Sequence, residues 1–72
     1  MEKVSAKKYY DLFNDYALTH NLYHNLIKLN SFDTISEFRS ESGEVLFKRC
    51  CRIWRNNISR KNYTIDYYVK AM

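Results

Sequence analysis

Almost nothing in this chain interrupts a regular backbone. Proline is absent, and Gly43 is the single glycine in 72 residues. Proline and glycine are the strongest local punctuation a sequence carries. Without them, linkers, repeats and low-complexity segments are not visible, and residues 1–72 read as a single domain. A chain this short is near the lower size limit for a self-supporting core. Seven Tyr, four Phe and one Trp compensate, because each aromatic ring buries a large area. An apolar fraction of 46% with a net charge of +4 predicts a folded chain.

Few breakers and many helix-compatible residues predict helices. At 100° per residue, Ala6, Tyr9, Tyr10, Leu12, Phe13, Tyr16 and Ala17 share one face of a helix from Val4 to Leu18, with Ser5 as its N-cap. The apolar stripe changes phase at Thr19–Asn21. Leu22, Tyr23, Leu26, Ile27 and Leu29 then form a second stripe ending near Asn30. Ser31–Asp33 reads as a turn. Thr34-Ile-Ser-Glu37 matches a capping box and opens a short helix over 34–41, which Gly43 would terminate in the left-handed region. Over 44–58, Leu46, Phe47, Cys50, Cys51, Ile53, Trp54 and Ile58 fall on one helical arc, and Lys48, Arg49, Arg52, Arg55 and Asn56 on the other. The expected fold is therefore all-α: a small bundle of four or five short helices, with a helix-turn-helix-like pair at 34–41 and 44–58. In that bundle Phe47, Cys50 and Trp54 point inward. The end of the chain is ambiguous. Ile65, Tyr68, Val69 and Met72 have helical spacing, while Tyr63, Ile65, Tyr67 and Val69 alternate as in a strand. A lone strand in a helical chain has no partner, which favours helix.

Function is read chiefly from charge. Residues 1–42 hold five basic and six acidic residues, and residues 43–72 seven basic and two acidic. Six basic residues and no acid lie between Lys48 and Lys61. Such a run repels itself unless an anion faces it. Arginine dominates it, and arginine makes the planar, bidentate contacts that phosphates and guanine edges accept. The expectation is a small nucleic-acid-binding protein, DNA ahead of RNA, using Lys48, Arg49, Arg52, Arg55, Asn56, Arg60 and Lys61. The Asn-, Ile-, Lys- and Tyr-rich composition suits a mobile element or a low-GC bacterium. The alternative is a protein-targeting inhibitor or adaptor that docks its basic helix and tyrosines on an acidic protein surface. Tyr63, Tyr67 and Tyr68 cannot all be buried by one short helix, so they are the expected contact of a homodimer.

Other chemistry is thinly represented. His20 and His24 have the i, i+4 spacing of a metal clamp, but further ligands are missing, and no metal or cofactor is expected. Cys50 and Cys51 are adjacent and close no loop, which suggests packing thiols in a reducing, cytoplasmic setting. No phosphate loop or activated nucleophile is present, and the chain is expected not to be an enzyme. No apolar run suggests a leader or a membrane span.

Overall fold

A computed structural model describes residues 1–57 and 60–70, with 55–57 and 60 as backbone alone. The elements in chain order are β1 (Glu2–Val4), α1 (Ala6–Thr19), β2 (Tyr23–Lys28), β3 (Asp33–Arg39), β4 (Val45–Asn57) and β5 (Arg60–Val69). The strands form one antiparallel sheet in the order β1-β5-β4-β3-β2, and α1 packs on one face of it. The all-α bundle is thus overturned. The helix-turn-helix-like pair is replaced by the β3–β4 hairpin, and the ambiguous C-terminal segment is a strand.

The first helix is where periodicity placed it. The Ser5 hydroxyl accepts a hydrogen bond from the Lys8 backbone N–H at 3.2 Å, and the helix ends at Thr19, within the stretch where the apolar stripe changes phase. Elsewhere the turns are built without proline. The Asn30 side-chain oxygen accepts from the backbone N–H groups of Phe32 and Asp33 at 2.7 and 2.9 Å, which closes the β2–β3 connection. An Asx turn of this kind replaces the glycine that helix-breaking arguments look for. At the β3–β4 connection the Gly43 N–H donates to the Ser40 carbonyl at 2.9 Å, with Gly43 at φ 87°. Gly43 does take the left-handed conformation expected of it, but in a hairpin rather than at a helix end.

Strand alternation replaces the helical arcs of 44–58. Phe47, Arg49, Cys51 and Ile53 point to the α1 side; Lys48, Cys50, Arg52 and Trp54 point away. The register skips Leu46 between the Arg39–Val45 and Phe38–Phe47 pairs. A bulge of this type lets two consecutive side chains turn toward one face, and both Leu46 and Phe47 are buried. Phe47 is fully buried beneath Tyr9, Phe13 and Tyr16, with ring centroids 5.3–6.1 Å apart. Val69 completes the core beside it. Trp54, expected inside, is 40% exposed on the far face, where its indole N–H donates to the Thr64 hydroxyl at 2.8 Å. The thiols of Cys50 and Cys51 are free and lie on opposite faces.

The helix is too short to cover the sheet. Fourteen residues span roughly 21 Å, whereas the molecule is 45 Å long. Its rings pack on Phe38, Phe47 and Tyr67, and the outer parts of β4 and β5 extend past it.

Two outcomes follow from this packing. Phe47→Ala should cost about 3–5 kcal/mol in chemical denaturation, and Trp54→Ala clearly less, since its ring is only partly buried. Burial pushes the Tyr9 hydroxyl up to about 12. The folded state holds that proton more tightly than the unfolded chain, so its contribution is complete below pH of about 10 and disappears as pH rises toward about 12. Stability measured across that window should fall, and Tyr9→Phe should flatten the decline.

Candidate functional site

The basic run from Lys48 to Lys61 does not form one surface. Alternation divides it between the two faces, and neighbouring groups engage several of its members. Lys48 lies on the face away from the helix, with its ammonium 5.2 Å from the centre of the Tyr68 ring and Glu37 directly across the strand pair. Arg52 is on the same face, where its Nε donates to the Asp33 carboxylate at 2.9 Å. Arg49 turns to the helix side and donates to the Tyr10 hydroxyl at 3.0 Å. Burial works against the Arg49 charge, yet the Tyr10 hydrogen bond and the surrounding tyrosines outweigh it and raise its pKa. The side chains of Arg55, Asn56 and Arg60 lie outside the described residues. Their backbones continue β4 and open β5. Lys61 is exposed on the helix side, 5.9 Å from the Tyr63 ring.

The three tyrosines expected at an interface also separate. Tyr67 packs under the helix, 4.9 Å from Tyr9 and 5.6 Å from Tyr10. Tyr68 lies on the opposite face beside Lys48. Tyr63 is 60% exposed on the helix side, beyond the reach of the helix.

The two faces differ in character. The face away from the helix mixes signs: Asp33, Glu37 and Asp66 stand among Lys48, Arg52 and Lys3. Lys3 is bridged to Asp66 at 3.2 Å. A shallow concavity of about 600 Å³ runs across this face, lined by Asp33, Ile35, Cys50, Arg52, Trp54 and Asp66 among others. On the helix side, away from the part of the sheet that the helix covers, the register places Leu26 and Lys28 of β2, Thr34 of β3, Cys51 and Ile53 of β4 and Lys61, Tyr63 and Ile65 of β5 on one face. No acidic residue lies in that group. Leu26, Tyr63 and Ile65 are all substantially exposed there. The period-2 spacing of Tyr63, Ile65 and Tyr67 is the sequence signal for half of this platform. Leu26, Thr34 and Ile53 carry no such signal, because only strand pairing puts them on the same face.

His20 and His24 do not form a clamp. His20 stacks on Tyr16 at the end of the helix, and His24 stacks on Phe38 from β2. Among the described residues no three potential metal ligands cluster, and no helix is long and apolar enough to cross a membrane. No protein family, curated protein or solved structure matches the chain.

The Asp33–Arg52 pair has a measurable signature. The side-chain hydrogen bond from Asn30, then that from Arg52, holds the Asp33 carboxyl below its ordinary range. Its contribution to stability is therefore present above the ordinary carboxylate pKa and fades as pH falls through the lowered value. In an NMR titration the Asp33 carboxyl should titrate below about 3.9, and the Arg52 Nε resonance should move at the same midpoint. Asn30→Ala should bring that midpoint back up.

Proposed function

We propose that the chain binds single-stranded nucleic acid on the uncovered helix-side half of its sheet, as a binding module without catalytic chemistry. The observation that carries this reading is the segregation just described. Strand alternation sends Asp33, Glu37 and Asp66 to one face and leaves Tyr63, Ile53, Ile65 and Leu26 on the other face with Lys28 and Lys61. Flat aromatic and aliphatic side chains on a rigid sheet accept stacked bases, and flanking cations follow the phosphates. Arg55 and Arg60 add positive charge to the same end of the β4–β5 hairpin, which holds no acidic residue between Ile53 and Tyr63. A duplex fits this platform less well. Stacking needs exposed base faces, and the recognition helix expected from the sequence does not form.

Catalysis finds little support on either face. In the concavity on the far face the Asp33 carboxylate is held by Arg52 and Asp66 is bridged to Lys3, so both carboxylates are engaged in ion pairs.

Fluorescence anisotropy with labelled single-stranded DNA and RNA tests the reading. With about two to four phosphates neutralised, log affinity should fall against log salt with a slope of roughly −1.4 to −2.8. Tyr63→Ala should cost about 1–3 kcal/mol of binding, and Lys61→Glu should lower both the affinity and the salt slope. Lys48→Ala, on the opposite face, should leave binding unchanged. If neither strand type binds at low salt, or if Lys48→Ala weakens binding as much as Tyr63→Ala, the helix-side platform is not the site. A failure to bind both strand types would shift the reading to an acidic protein surface as partner.

A further inference from the structure

The sheet is finished unevenly along β5. Its inner edge pairs with β4, but β1 covers its outer edge only at Tyr67, Tyr68 and Val69. Ahead of Tyr67, no described strand lies beside it. An edge of this length with Tyr63, Thr64 and Ile65 on it is a template for another strand. β2 forms the opposite edge of the sheet.

We propose that the occupant of the β5 edge is β5 of a second copy of this chain, paired antiparallel across a two-fold axis centred on Tyr63. The register follows from three constraints. A two-fold axis perpendicular to the sheet keeps each face on its own side, so opposed residues must share a face and only registers centred on a residue are allowed. β1 blocks the edge from Tyr67 onward, so the second strand must end opposite Asp66. The strand begins at Arg60, so a centre at Tyr63 uses the whole span from Arg60 to Asp66. Centres to either side shorten the pairing or run into β1.

This register is also complementary in charge and shape. By position, Arg60 of each copy stands opposite Asp66 of the other, twice across the axis. Lys61 stands opposite Ile65, whose side chain can lie against the aliphatic stem of the lysine. The two Tyr63 side chains meet at the axis as a cross-strand aromatic pair. Both helices lie on the same face, toward the two ends, so neither obstructs the seam. Ile65, Tyr63 and their counterparts then form one continuous apolar strip. The pairing is made through the backbone of the strand edge and is tested without nucleic acid, so its failure is distinguishable from a failure of nucleic-acid binding.

Sedimentation velocity over a concentration series, without nucleic acid, tests the pairing. Wild type should show a concentration-dependent monomer–dimer equilibrium. Asp66→Arg alone and Arg60→Asp alone each set like charges across the axis, and each should weaken the dimer by about tenfold or more. The double reversal, Arg60→Asp with Asp66→Arg, should restore it. Tyr63→Lys brings two cations together at the axis and should give a monomer. Circular dichroism of each variant confirms the retained fold, and Tyr63→Lys provides a second route should a charge reversal unfold. A monomeric wild type at high micromolar concentration overturns the proposal. So does a dimer indifferent to the single reversals and to Tyr63→Lys, or a double reversal that fails to recover.

Discussion

Phe47 sits under three rings of the helix, Tyr9, Phe13 and Tyr16, and shows no surface to water. This contact fixes where the helix crosses the sheet. A chain of this size has few other ways to bury apolar area, and among the described residues the buried core cluster is Tyr9, Leu46, Phe47 and Val69. The bulge at Leu46 belongs to the same device, since it turns a second large side chain inward where simple alternation would send it out. Everything on the helix side past this cluster is left uncovered, because the helix ends before the sheet does.

Surface chemistry follows from that limit. A sheet has two faces, and each strand alternates between them. The acidic residues of β3 and β5 fall on one face with Lys3, Lys48 and Arg52, where ion pairs join Lys3 to Asp66 and Arg52 to Asp33 and Lys48 lies over the Tyr68 ring. The helix-side platform carries Leu26, Ile53, Tyr63 and Ile65 with Lys28 and Lys61. Exposed ion pairs of this kind add little stability. Their consequence is spatial: the face that holds the acids is not the face that would meet an anion.

Helical spacing failed in β4 for an identifiable reason. Helical and strand periods both fit 44–58, and the strand reading is discouraged by placing arginine and apolar residues on both faces. The structure does mix them. Arg49 is tolerated on the helix side because Tyr10 accepts its hydrogen bond, and Arg52 on the other because Asp33 lies across the strand pair. Neither partner is near in sequence. The scarcity of prolines and glycines misled in the same direction, since Asn30 makes the β2–β3 turn in their place.

The sequence alone determined the local features. These are the amphipathic helix with its Ser5 cap, its end at Thr19, the left-handed Gly43, the burial of Phe47 and the excess of positive charge toward the C-terminal half. Each depends on residues within a turn or two of one another, or on composition. Only the tertiary structure decided that Tyr23–Lys28, Asp33–Arg39, Val45–Asn57 and Arg60–Val69 are strands, that the basic run divides between two faces, and that Leu26, Ile53 and Tyr63 share a face. Strand pairing decides those points, joining residues far apart in the chain through backbone groups that every residue carries. A side-chain pattern read along the chain therefore leaves them open.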